Sequence, residues 1–185
     1  MKGLEGMLFH RTPLQGAWLI EAEPHLDERG WFARTFCEAE FAEHGLQHHF
    51  VQHSRSSSKR AGTLRGMHFQ TAPYAEEKLV SCVCGAIFDV IFDMRVNSSS
   101  YQQVFSVELS AANGRQLYIP KGVAHGFQAL TDSVAVNYMI SEFYAPNHSS
   151  GFRYDDPALK VEWPMTVTQI SDKDLGWRPW ERLTG

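Results

Sequence analysis

Gly62–Gly85, GTLRGMHFQTAPYAEEKLVSCVCG, is the stretch whose reading decides the architecture. Two runs suited to strands flank a cluster of turn residues at Thr71–Ala75, a pattern that predicts a β-hairpin ending at Gly85. On a regular strand His68 and Gln70 share a face, whereas Arg65 has the opposite parity and joins them only if Gly66 bends the chain. Lys78 stands directly before an apolar stretch, which favours an inward side chain over the solvated position lysines ordinarily take. From Phe50 onward turn signals recur every ten or so residues: Ser56–Gly62, Thr71–Ala75, Gly85, Asn97–Ser100, Asn113-Gly114, Pro120–Gly122 and Thr131-Asp132. Short strands at that spacing predict an all-β sandwich or barrel, and Val104–Leu109, Gln116–Ile119, Phe127–Leu130 and Val134–Ile140 complete a jelly-roll-sized set.

Within that set Ala86–Arg95 alternates. Phe88, Val90, Phe92 and Met94 share one face, and Ile87, Asp89, Ile91, Asp93 and Arg95 the other, so one face is core and the other carries charges toward a pocket. Upstream, Met7–Glu23 reads as two short strands around Pro13 and Gly16 that pair at a sheet edge. Asp27–Gly30 is a turn, and Trp31–Thr35 follows as a strand. Thr35, three residues before Glu38, predicts a capping box for a short helix over Cys37–His44, stopped by Gly45. After Pro146 the texture changes to loop with Trp163, Trp177 and Trp180, which predicts a C-terminal tail from about residue 147 that wraps back on the sandwich.

Composition narrows the function. The 185 residues, 43% hydrophobic and 21% charged, suit a single domain spanning 1–185. A net charge of -4 offers no basic field for nucleic acid. The odd set Cys37, Cys82 and Cys84, the last two pointing the same way on one strand, implies no disulfide framework and a reducing compartment. The most apolar run, Cys82–Phe92, is broken by Asp89 and falls far short of the ~20 apolar residues of a spanning helix. A cytoplasmic protein with no membrane partner is expected.

The opening stretch resembles the first cupin motif, in which a glycine, five residues, His-x-His and a glutamate followed by six residues and a glycine supply three metal ligands. Here the first histidine is His68, Gln70 stands at the second, and Lys78 occupies the glutamate position. Gly114–Gln128, GRQLYIPKGVAHGFQ, is similar to the second motif and puts His125 at its last ligand position. A divalent cation takes three or more deprotonated ligands, and an ammonium among them opposes it by Coulomb repulsion. The resemblance therefore implies a cupin-type pocket with no metal or other cofactor, in which the Lys78 ammonium does the work of the Lewis acid as a fixed cation and hydrogen-bond donor. A metal-dependent cupin is the rival reading, with ligands recruited among His44, His48, His49 and His53.

Taken singly, His68 and His125 also read as hydrogen-bonded structural histidines, Tyr138 as a core tyrosine and Asp174 as a solvated loop acid. Together, Gly62-Thr-Leu-Arg-Gly-Met-His-Phe-Gln, Lys78-Leu-Val, Gly85-x-Ile-Phe-Asp-Val, Ile119-Pro-x-Gly-x-Ala-His-Gly-Phe, Tyr144-x-Pro, Asp155-Asp-Pro, Trp163-Pro and Ser171-x-Lys-Asp resemble, in order and spacing, the dTDP-4-dehydrorhamnose 3,5-epimerases. The match runs from Phe9 to Asp174. It implies a cupin-type jelly-roll β-sandwich with short flanking helices, a homodimer with exchanged N-terminal strands, and a nucleotide-linked 4-keto-6-deoxy sugar as substrate. By position it implies His68 as base, Asp174 as its carboxylate partner, Tyr138 as acid and Lys78 beside the carbonyl. Arg65 would hold the diphosphate with Arg29 from the other subunit, Gln52 and Phe32 would lie nearby, and His125 would hydrogen-bond the substrate.

The chemistry is coherent. A ketone at carbon 4 acidifies the hydrogens on carbons 3 and 5, imidazole with an ordinary pKa of ~6.5 is a suitable base, and a phenol of ~10 is an adequate donor to an enolate. One departure bears on the substrate: where the family reads Gln-x-Asn-x-Ser, this chain has Gln52-His-Ser54-Arg-Ser56, a shorter polar side chain at the expected sugar and phosphate site. A 3- or 5-monoepimerase, a nucleotide other than dTDP and a non-catalytic sugar-nucleotide binding module are the alternatives.

Overall fold

Two antiparallel sheets form because alternating side chains give most strands one face for a shared interior. The computed structural model describes residues 6–180. Its strands, in chain order, are β1 (Met7–Arg11), β2 (Trp18–Ala22), β3 (His25–Asp27), β4 (Gly30–Phe32), β5 (Gln52–Ser58), β6 (Leu64–Gln70), β7 (Lys78–Cys84), β8 (Ala86–Asp93), β9 (Val104–Ser110), β10 (Arg115–Ile119), β11 (Val123–Ala129), β12 (Val134–Ile140) and β13 (Ser149–Gly151). A six-stranded sheet runs β1-β2-β10-β7-β12-β5 and a five-stranded sheet β13-β6-β11-β8-β9, while β3 and β4 make a separate hairpin. This is an all-β sandwich, one of the two forms the turn spacing predicts, in the jelly-roll form the resemblance implies.

The interior between the sheets is filled at one end by Val80, Ile87, Ile91, Leu117, Phe127 and Val136. Parity then fixes what faces the other end. Lys78 shares the inner face of β7 with Val80 and Cys82, and Tyr138 shares that of β12 with Val134 and Val136, whereas Leu79 and Met139 point outward to a second core with Trp18 and Phe41. That outer core seats helix α1 (Glu38–Glu43). Both faces of β8 are buried: Ile87 and Ile91 enter the interior, and Val90 and Phe92 pack beneath the tail residues Phe152, Leu159, Trp163 and Trp180.

Several local expectations shift. The helix is capped by Cys37, with no side-chain cap bond, rather than by a box from Thr35; Glu40 accepts from Met7 N at 2.7 Å and Arg34 Nη1 at 2.7 Å. Gly45 closes it at φ +69° as expected. The strand foreseen at Trp31–Thr35 ends at Phe32. Strand β11 begins at Val123, not Phe127, because every residue of VAHGFQA is buried, so His125 lies in mid-strand. Cys82 and Cys84 do not share an environment: the register slips where they pair with Val136 and Ala135, leaving Cys82 buried and Cys84 exposed.

The tail is less loop-like than its composition suggests. It starts with β13 on the edge of β6, is tied by paired bonds between the Gln128 amide and the Met165 backbone, and runs beside Thr63 at Gln169. It then forms the turn of helix α2 (Asp172–Leu175), whose cap Ser171 accepts from Asp174 N at 3.1 Å, and continues to Trp180. No helix among the described residues is long and apolar enough to cross a membrane.

Candidate active site

The open end of the sandwich holds a cavity of about 420 Å³ walled by both sheets and the tail. From β6 come Arg65, His68 and Gln70, from β11 His125, from β7 Lys78, from β12 Tyr138, from β5 Gln52, Ser54 and Ser56, and from the tail Lys173 and Asp174. The bend needed to bring Arg65 into register with His68 is present. Gly66 has φ +127°, and β6 skips one register position on β11, so that His68 pairs with His125 while Arg65 pairs with Phe127. A Cβ at Gly66 would lie 2.5 Å from Gly126 Cα, so the close strand approach admits only glycine there.

His68 Nε2 lies 2.6 Å from Asp174 Oδ1. Burial works to raise the Asp174 carboxyl, but the His68 bond and charge, the Gly66 N–H at 3.3 Å and Ser171 outweigh it and hold the carboxyl below its ordinary value. An ionised Asp174 fixes the proton on Nε2 and leaves Nδ1 as the basic nitrogen. A second pair stands beside it: His125 Nε2 is 2.7 Å from Asp89 Oδ1, and Asp89 is fully buried. Burial pushes the Asp89 carboxyl up, against the opposing pull of His125 and Lys78.

Tyr138 enters from the opposite sheet. Its hydroxyl is 3.1 Å from Ser56 Oγ, and its ring meets that of His125 edge-on at 6.2 Å. Burial pushes the phenol up to about 12, with the Ser56 bond pulling the other way and the Asp89 charge adding to the rise. It therefore keeps its proton at neutral pH. Lys78 is inward as expected, its side chain 14% exposed, and its Nζ is 2.8 Å from Glu76 Oε1.

Of the substrate-binding candidates, Gln52, Ser54, Arg65 and His125 line this cavity. Gln52 Oε1 accepts from Tyr144 N at 2.6 Å, and Arg65 donates to Ser57 O at 2.8 Å and Ser58 Oγ at 3.2 Å. Arg29 and Phe32 do not line it. They sit on the β3–β4 hairpin, where the Arg29 side chain is 89% exposed beside Asp27 and Phe32 is exposed with Leu26 and Trp31. The histidines of the rival reading lie elsewhere: His44 stacks on Phe9, His48 approaches Glu38 at 3.9 Å, and none of His44, His48, His49 and His53 lines the cavity.

Sequence reasoning missed the partners rather than the principals. The alternation puts Asp89 on the pocket face but not its bond to His125; Ser56 follows Ser54 at period two, so strand parity is the available signal there, whereas Glu76 lies in the coil just before β7 and has no such signal. Lys173 carried only its place in the Ser171 motif.

Comparisons with known proteins identify the family. The family model described as dTDP-4-dehydrorhamnose 3,5-epimerase matches residues 11–182. A protein of that name from Methanothermobacter thermautotrophicus is 47% identical over 174 residues, covering 92% of this chain and 93% of the relative. A solved structure of the Bacillus anthracis enzyme with TDP and PPi bound superposes with a TM-score of 0.92 at 39% identity, covering 95% of this chain and 100% of that one. A dTDP-6-deoxy-D-glucose-3,5-epimerase from Legionella pneumophila in complex with dTDP-4-keto-L-rhamnose gives 0.88 at 36% identity, covering 94% and 92%. With the match spanning nearly its whole length, the chain belongs to the dTDP-4-dehydrorhamnose 3,5-epimerase family.

Proposed function

We propose that the chain epimerises a nucleotide-diphospho-4-keto-6-deoxy sugar, dTDP-4-dehydro-6-deoxyglucose, in rhamnose-type deoxysugar biosynthesis. One observation carries the reading: His68 on one sheet, paired with Asp174 of the tail, and the half-buried Tyr138 phenol on the other sheet open onto the same cavity as the Lys78 ammonium. His68 Nδ1 takes the proton from the carbon next to the ketone, and Asp174 stabilises the imidazolium through Nε2–H. Negative charge moves to the carbonyl oxygen, where a prepositioned ammonium is worth ~3 kcal/mol of barrier. Tyr138 then protonates the same carbon from the opposite face and inverts it. We read Arg65 as a diphosphate contact, and His125, Gln52 and Ser54 as groups along the sugar and phosphates, because all four line the same cavity as His68 and Lys78.

We further read the protein as a cytoplasmic homodimer in which the β3–β4 hairpin reaches a partner's cavity, bringing Arg29 to the diphosphate and Phe32 nearby. The exposed side chains of Leu26, Trp31 and Phe32 support that reading. Light scattering tests it, and a fully active monomer refutes it.

The deciding experiment is incubation with dTDP-4-keto-6-deoxyglucose in deuterated water, followed by NMR. Deuterium at carbons 3 and 5 is the expected result, deuterium at one carbon makes the chain a monoepimerase, and deuterium at neither overturns the reading.

A further inference from the structure

We propose that Glu76 is a positioning residue for the reaction: it aims the Lys78 ammonium at the ketone oxygen. The inference rests on the reading of Lys78 as the group that stabilises the enolate.

Glu76 and Glu77 are adjacent acids with opposite surroundings. Glu77 pins the backbone, its N–H donating to Ser141 Oγ at 2.8 Å and its Oε2 accepting from that hydroxyl at 2.7 Å; Lys121 Nζ lies 3.7 Å from Oε2. Glu76 instead turns inward, its side chain 5% exposed, and lines the cavity. Its polar partner is Lys78, 2.8 Å from Oε1, while Oε2 is buried without a hydrogen-bond partner. A carboxylate kept for the fold would have both oxygens satisfied, because a buried oxygen without a donor destabilises the folded state, and a buried ion pair is weak evidence of stabilisation.

The arrangement makes sense as a clamp on a flexible side chain. Lysine carries a mobile aliphatic stem and three N–H donors. One donor is engaged by Glu76, which stands on a backbone fixed through Glu77 and Ser141, so the remaining donors are presented to the cavity from a defined position. Catalysis by a fixed charge depends on that pre-positioning, since a displacement on the order of 1 Å can lower a rate ~100-fold.

The test is a double-mutant cycle with Glu76→Leu, Lys78→Met and the two combined, reading deuterium exchange into the substrate, affinity for dTDP and melting temperature. We expect each single variant to lose ~100-fold in exchange with dTDP affinity unchanged, and the combined variant to lose no more than Lys78→Met alone. The combined variant should melt at or above the wild type, because it removes both buried charges together. Glu76→Gln keeps the volume and one acceptor for the ammonium, so it should retain more exchange than Glu76→Leu and remains readable if that variant does not fold. Multiplicative losses in the combined variant, or wild-type exchange in Glu76→Leu, would overturn the inference. A wild-type protein that exchanges no deuterium overturns the epimerase reading instead, and this inference with it.

Discussion

Replacing Tyr138 by phenylalanine separates proton removal from inversion. The substitution deletes one hydroxyl, whose hydrogen bond in the structure goes to Ser56 Oγ at 3.1 Å, and keeps the ring that packs against the interior. The stability lost is about 1 kcal/mol, or about 2–4 °C in melting temperature for a chain of this size. Activity should suffer far more. A positioned general acid contributes on the order of 10²–10⁴ in rate, and the phenol, pushed up to about 12 by burial, is protonated throughout the working range. With it gone, His68 still removes the proton and Lys78 still holds the enolate, which is then reprotonated mainly by the imidazolium on the same face. Net epimerisation, followed by NMR of the sugar, should fall ~100-fold or more. Exchange of the same hydrogen into deuterated water should fall much less, with the label entering in retained configuration. Epimerisation at the wild-type rate would refute the assignment and return Tyr138 to the role of a packed core tyrosine.

Three further outcomes follow from the same geometry. His68→Ala should abolish exchange at every position while dTDP affinity, read by calorimetry, persists, because the base and the diphosphate contacts are different groups; exchange near the wild-type rate would put the base elsewhere. Asp174→Asn should slow exchange on the order of 10³-fold by freeing the wrong tautomer of His68. It should also flatten the acid limb of stability: the Asp174 carboxyl is held below its ordinary value of 3.8, so its contribution is present above that value and is lost as the pH falls through the lowered folded one. Thermal melts of both proteins from pH 7 to pH 3 check this, and parallel curves would contradict it. Lys78→Met should lose ~100-fold in rate and also about 3 kcal/mol of stability, read by urea unfolding, because it strands the buried Glu76 carboxylate; a stability equal to wild type would mean that Glu76 reaches solvent when its partner is removed.

Strand parity and glycine positions make most of this legible in the sequence. The inward orientation of Lys78 and Tyr138 follows from Val80 and Val136 on the same faces, and the conditional statement about Arg65 turned on Gly66, whose backbone bends as required. What parity could not supply was pairing across the fold. Asp174 lies 106 residues from His68, and only the tail's return over β6 brings it there. The motif resemblance, not the residue pattern, named it. The β11 boundary was misjudged for a related reason: Ala-His-Gly-Phe looks like a turn by composition, yet β6 and β8 flank it on both sides and bury it as strand. Arg29 and Phe32 are not joined to the His68 and Lys78 cavity within the single chain, since neither lines it.

The two-sheet architecture bears directly on the stereochemistry. Inversion at a carbon requires donor and acceptor on opposite faces of the sugar ring, and groups mounted on one strand or one sheet would crowd a single face. In the proposed assignment the base, His68, is carried by β6 of the five-stranded sheet and the acid, Tyr138, by β12 of the six-stranded one, and the interior between packed sheets is about 10 Å thick. That gap accommodates a sugar ring with one group on either side. The cation comes from β7, hydrogen-bonded to the strand that carries Tyr138, so Lys78 and the acid belong to one rigid wall while the base belongs to the other. On that assignment a ring held between the walls would meet Lys78 and Tyr138 from one and His68 from the other, so proton removal and proton return would occur on opposite faces without the sugar leaving the site.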